Sequence, residues 1–171
     1  MNATSQLLAA SHFELFGLPE QFAIDEDDLN RRHMLLRTKM HPDRHIGLAA
    51  EQLAAEQLAA RINEAYRTLA DPMLRAAYVL SCRGRDPFCE NDNSMPAEFL
   101  EEQMEMRERL EEAADEQLRQ NLAADAQQAC RKCLDELEDQ LKEPEPDLEA
   151  AAHTVRRMKY LRNFAAECAQ T

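Results

Sequence analysis

Apolar positions recur at helical spacing along most of the chain. At 100° per residue, Leu29, His33, Leu36 and Met40 fall within one arc of about 60°, which predicts a helix over 25–40. Asp25 is placed to cap it, and Glu26, Asp27 and Asp28 suit its positive end. Ahead of it, Phe13, Leu15, Phe16 and Leu18 form a short apolar cluster closed by Gly17 and Pro19, enough for one or two helical turns. From residue 48 the sequence LAAEQLAAEQLAA repeats a five-residue unit. Five residues overshoot one turn by about 140°, so Leu48, Leu53 and Leu58 cannot share a core face, and the repeat reads as helix-favouring filler. A true core stripe follows in Leu58, Ile62, Ala65, Tyr66 and Leu69. Asp71-Pro72 ends this helix and opens another with proline in its first turn. Met73, Ala76, Ala77 and Leu80 carry it to Cys82, and Gly84 stops it.

Residues 84–96, GRDPFCENDNSMP, are polar and turn-rich. Three more helical patterns follow, roughly 97–118, 121–142 and 147–168, with Pro144-Glu145-Pro146 before the last. Short loops between long amphipathic helices predict a three-helix bundle. The expected organisation is all-α: an N-terminal helical domain over 1–83, a linker over 84–96 and the bundle over 97–171. Three glycines, no tryptophan and many Ala, Leu, Glu, Gln and Arg agree with that class.

Charge sharpens the functional reading. The net charge of −13 argues against nonspecific nucleic-acid binding, which requires cations to displace counterions. Residues 97–171 hold 19 acidic and 10 basic side chains, whereas residues 29–45 hold five basic and one acidic. A basic island in an acidic chain points to an acidic protein partner, although a solvated helix face has the same composition. Arg31, Arg32 and Lys39 occupy an arc about 100° from the core stripe and are expected on an exposed face. No run of 18 apolar residues is present, so no membrane-spanning helix is expected. The N-terminal MNATSQLLAASHF lacks secretory or transit-peptide features, and five unframed cysteines fit a reducing compartment; the expected location is the cytoplasm.

The basic helix runs into His41-Pro42-Asp43-Arg44, where proline and its predecessor leave the helical region. A His/Asp pair there is compatible with acid–base catalysis, a metal site with His45, or a structural turn. Catalysis requires a pocket and a nucleophile, and none is evident beside a hairpin tip. A metal site lacks a full ligand set at helical spacing. Cys130-x-x-Cys133 shares a helix face with Leu122, Ala126 and Leu137 and reads as core, since no second ligand pair accompanies it. No metal or cofactor is expected.

His-Pro-Asp after a basic helix, with HFELFGLP before it and INEAYRTLADPMLRAAYVL after it, resembles a J domain over residues 11–80. Such domains contact a DnaK-type chaperone and stimulate its ATP hydrolysis. The resemblance implies chaperone-binding roles for His41, Pro42 and Asp43, with Arg31, Arg32, Lys39 and Arg44 in support. Arg44 stands where lysine is common, and arginine keeps the charge but not the geometry.

In the bundle, Phe99, Met106, Leu110 and Ala113 form an inward stripe of the first helix. Leu100 and Met104 lie 100–140° from Phe99, as i, i+4 neighbours among charges. Ala151, Val155, Met158, Leu161 and Ala165 form the last helix's stripe, with Tyr160 about 130° from its centre. Scattered exposed apolar residues are ordinary, but these three are also adaptable interface formers. A J domain followed directly by an acidic helical bundle, without zinc-binding repeats, resembles the HscB family, as do FLEEQMEMRERLEEA and TVRRMKYLRNF. That resemblance implies a non-enzymatic co-chaperone that binds an IscU-like iron–sulfur scaffold and delivers it to an HscA-like chaperone; a monomer is expected. It places scaffold contacts on Leu100, Met104 and Tyr160, while Glu101 departs from the pattern where an apolar residue occurs. A J protein serving another client and a helical metal or cluster carrier remain as alternatives.

Overall fold

The computed structural model describes residues 3–39, 49–89 and 95–170, and among these every regular element is a helix. In chain order they are α1 (Ala3–Ala9), α2 (His12–Phe16), α3 (Glu26–Lys39), α4 (Ala49–Ala70), α5 (Pro72–Cys82), α6 (Ala97–Glu112), α7 (Glu116–Gln140) and α8 (Leu148–Gln170). The chain divides into two compact units, Met1–Arg75 and Ala76–Thr171. This division falls within α5, earlier than the turn-rich segment at which the sequence pattern changes.

In the first unit α1, α2 and α3 pack on α4. Asp25 caps α3 as expected, its carboxylate accepting from the Asp28 amide at 3.0 Å. Of the predicted α4 stripe, Leu58, Ile62, Ala65 and Leu69 are buried, as are Phe13, Phe16, Phe22 and Leu29, while Tyr66 is half-buried and Leu53 of the repeat is exposed. Helices α3 and α4 run antiparallel. Tyr66 donates to Asn30 at 2.8 Å, and one turn further the His33 ring stacks on Tyr66 with centroids 3.9 Å apart and faces Asn63. Two local features were not anticipated. Helix α1 precedes the apolar cluster, and a capping box starts α2: the Ser11 hydroxyl accepts from the Glu14 amide, and the Glu14 carboxylate accepts from the Ser11 amide.

Asp71 ends α4 and caps α5, its carboxylate accepting from the amides of Met73 and Leu74 at 2.9 and 3.1 Å. Gly84 then takes a left-handed φ of 77° after the helix, as a C-terminal stop requires.

The second unit is built on α7 and α8, which pack along most of their length. Cys130 faces the Met158 carbonyl, and the α7 face Leu122, Ala126, Cys133, Leu137 is fully buried. Helix α6 lies on α8 in the same direction: Glu102 pairs with Arg157 at 3.1 Å and Arg107 with Glu167 at 3.5 Å. It runs opposite to α7, with Arg109 facing Asp125 at 3.4 Å. The break between α6 and α7 comes at 113–115 rather than near 119. Ala113 is extended, and the Asp115 carboxylate caps α7 through the Leu118 amide at 2.8 Å.

Candidate partner-binding sites

Two surfaces predicted from sequence are separable, one in each unit. On the first unit, His41, Pro42, Asp43 and Arg44 fall in 40–48, outside the described residues. Helices α3 and α4, packed antiparallel, are the two arms of a helical hairpin. The first arm is described as far as Lys39. Arg31 and Lys39 are exposed, and Arg31 pairs with Asp28. Desolvation pushes the Asp28 carboxyl upward, but its hydrogen bonds from Arg32 and Arg31 outweigh this and hold it below its ordinary value.

Arg32 departs from the exposed face expected for it. Its Nε donates to Asp28 at 2.7 Å, and its Nη1 donates to the carbonyls of Phe16 and Gly17 at 2.9 and 3.0 Å. Gly17 carries a left-handed φ of 63°, and a Cβ there would stand 3.0 Å from that guanidinium nitrogen. Arg32 therefore fastens the C-terminus of α2 to α3 and is only half-exposed. The helical wheel explains this, because Arg32 lies nearer the core stripe than Arg31 or Lys39, about 40° from Leu36.

Leu35 and Met34 were missed by the sequence reading. Both are largely exposed, and Leu35 projects between Arg31 and Lys39 on the wheel. The available signal was that both are apolar residues outside the Leu29–Leu36 stripe. The arm's outer face is thus basic with an apolar centre.

On the second unit, Leu100 is 49% and Met104 66% exposed on consecutive turns of α6. Tyr160 sits at the α6–α8 seam and is half-buried. Its ring meets Phe99 edge-on with centroids 5.6 Å apart and lies roughly parallel to Phe164, and its hydroxyl donates to the Gln103 carbonyl at 3.3 Å. Burial pushes the phenol upward from its ordinary value, although the nearby Arg107 opposes this. Leu100 and Tyr160 line one groove across the seam, and Met104 continues the apolar strip along α6. Glu101 is exposed on the turn between them.

Burial pushes the Cys133 thiol up to about 11, only partly countered by the Arg157 cation, and it raises Cys130 as well. Both are protonated at neutral pH. Among the described residues no group of three His, Cys, Asp or Glu side chains is arranged to hold a metal ion. None of the described helices is long and apolar enough to cross a membrane.

A J-like helical region followed by a helical domain with its own apolar strip defines a class, the two-unit J-type co-chaperones. Residues 95–169 match the family described as the HSCB C-terminal oligomerisation domain. The co-chaperone protein HscB homolog of Burkholderia cenocepacia is 41% identical over 170 residues, covering 94% of this chain and 93% of that protein. The corresponding Bordetella avium protein is 42% identical over 168 residues, covering 95% and 98%. Chaperone HscB from Vibrio cholerae superposes with a TM-score of 0.77 at 35% identity, covering 94% of this chain and 96% of that one. Human co-chaperone HscB superposes with a TM-score of 0.84 at 25% identity, covering 94% and 81%. The chain belongs to the HscB co-chaperone family.

Proposed function

We propose that this protein binds an IscU-like iron–sulfur cluster scaffold through Leu100, Met104 and Tyr160 and delivers it to an HscA-like, DnaK-type chaperone. It stimulates that chaperone's ATP hydrolysis and so promotes cluster transfer to recipient proteins. The observation that carries this reading is the exposed Leu100–Met104 strip beside Tyr160, on a chain that matches HscB co-chaperones nearly from end to end. Two large apolar side chains left in water on an otherwise charged helix face suit a protein interface.

The chaperone is engaged by His41, Pro42 and Asp43, with Arg31, Lys39 and Arg44 supplying positive charge toward an acidic surface. Arg32 supports this arm by holding α3 against α2. The chain performs no chemistry itself and carries no cofactor. His41 acts as a contact that triggers hydrolysis in the partner. Because one chain holds both the client and the activating loop, the client's effective concentration at the chaperone rises without any new contact. The protein works in the cytoplasm as a monomer, which sizing of the free chain and of its scaffold complex checks.

The decisive assay is the ATPase rate of the cognate chaperone with this protein, with the scaffold, and with both. Stimulation by the protein that increases further with scaffold is expected. His41→Gln should abolish stimulation and leave scaffold affinity unchanged. Unaltered stimulation by that variant overturns the loop assignment, and an absence of scaffold binding overturns the client assignment.

A further inference from the structure

The segment following α5 does not hang free of the bundle. Arg83 pairs with Glu143, Arg85 reaches Glu149 at 2.6 Å, and Arg156 Nε donates to the Pro87 carbonyl at 2.8 Å. Pro87 is buried, and the neighbouring Phe88 ring lies beneath the Lys159 ammonium, 4.4 Å from its centroid. This strap turns Phe88, 38% exposed, toward the seam where Leu100 and Tyr160 meet. The resulting groove has a volume of about 400 Å³ and is also lined by Gln103 and Lys159. Its charge is the notable feature. The bundle region 97–171 carries 19 acidic residues, yet the charged side chains lining this groove are Arg156 and Lys159, with no carboxylate among the described lining residues.

We infer that this groove extends the scaffold site beyond the α6 strip, accepting an apolar side chain of that protein with an adjacent carboxylate. The apolar group lies between Phe88, Leu100 and Tyr160, and the carboxylate meets Lys159. Continuity with the Leu100–Met104 strip selects the scaffold as occupant, and the basic lining selects an acidic neighbour over a basic one. The volume suits one large side chain and its flanking backbone rather than a whole helix. The inference rests on the scaffold-binding reading above and adds to it Phe88 and Lys159, neither of which lies on the α6 strip.

The experiment is titration calorimetry of the full chain against the purified scaffold protein at low and high salt. Phe88→Ala should weaken binding about tenfold, the effect of truncating an interface aromatic. Lys159→Glu should weaken it by a similar factor at low salt, with the difference from wild type shrinking at high salt. Lys132→Glu, on the exposed face of α7, makes the same change in net charge away from the groove and should have little effect. Both groove positions are accessible enough for the fold to tolerate the changes, and thermal melts verify this. Affinities of Phe88→Ala and Lys159→Glu within about twofold of wild type overturn the extension, as does tighter binding by Lys159→Glu. If Leu100→Ala with Met104→Ala still weakens binding in that case, the scaffold reading stands alone. Failure of the wild-type chain to bind the scaffold overturns both.

Discussion

Replacing Leu100 and Met104 together with alanine separates interface from core. Fully burying a leucine or methionine side chain contributes about 1.5–3 kcal/mol. Leu100 is 49% and Met104 66% exposed, so half to two-thirds of that contribution is still available to a partner. Alanine retains the β-carbon, which leaves roughly 1 kcal/mol lost per site and about 2 kcal/mol for the pair, near thirtyfold in Kd. The two residues are i, i+4 neighbours on one strip, so their single effects need not add, and the double variant is the cleaner measurement. By the same bookkeeping, the part already buried in the free chain, about half of Leu100 and a third of Met104, puts the cost to folding stability at about 1 kcal/mol for the pair. Calorimetry against the scaffold gives the first quantity, and a urea melt of the free chain gives the second. Wild-type affinity in a normally folded double variant refutes the patch. A melt displaced by 2 kcal/mol or more refutes the claim that these side chains are spare.

Arg32→Ala removes the donors to the Phe16 and Gly17 carbonyls and should cost about 1–2 kcal/mol, less than two buried charged hydrogen bonds because the side chain is partly in water. Denaturant unfolding reads this, and a stability equal to wild type would show that the guanidinium does not hold α2. His12 is buried, and burial with the Arg61 cation lowers its pKa despite the opposing Glu64 carboxylate. A histidine protonated less readily when folded stabilises fully above its ordinary value of about 6.5 and loses that contribution as pH falls below it, at no more than about 1.4 kcal/mol per pH unit. The difference in unfolding free energy between wild type and His12→Gln should therefore vary below pH 6.5 and be flat above it; parallel pH profiles would refute it. With its thiol near 11 and no exposure, Cys133 should react with a disulfide reagent at pH 8 on the order of a hundredfold more slowly than an ordinary surface thiol. Exposed Cys89 should react first, and equal rates before unfolding would place Cys133 outside the core.

The elements whose ends are set by a single side chain were legible without coordinates. Asp25, Asp71, Gly17 and Gly84 each terminate or start a helix where the sequence places them, because a carboxylate cap or a left-handed glycine acts over three or four residues. The Ser11–Glu14 capping box had the same local signature and was overlooked beside the more conspicuous apolar cluster. Helix α1 lacks both a charged first turn and a clear stripe, so its pattern carried little signal. The α6–α7 break was misplaced because residues 113–120 remain good helix formers. Only the Asp115 cap and the extended Ala113 decide the matter, and helix propensity does not register them.

The apolar strip was the most legible part of the candidate sites and Tyr160 the least, for one geometric reason. Helix α6 buries a narrow stripe: Phe99 is buried while Leu100 and Met104, one flank away, are exposed. Helix α8 packs on both α6 and α7, and its buried residues from Phe164 round to Ala152 span about 240° of the wheel. Tyr160 lies about 40° beyond the Phe164 edge of that arc, at its rim instead of on an opposite face. Rim positions are decided by what the adjacent helix brings, here Phe99 and the Gln103 carbonyl. Arg32 is the same case on α3, a rim residue drawn inward by the α2 carbonyls. Periodicity within one helix therefore identifies a patch's outer residues, while its anchors depend on the seam between helices. Phe88 belongs to no helix at all, and it joins the groove only because basic side chains fasten its segment to α8.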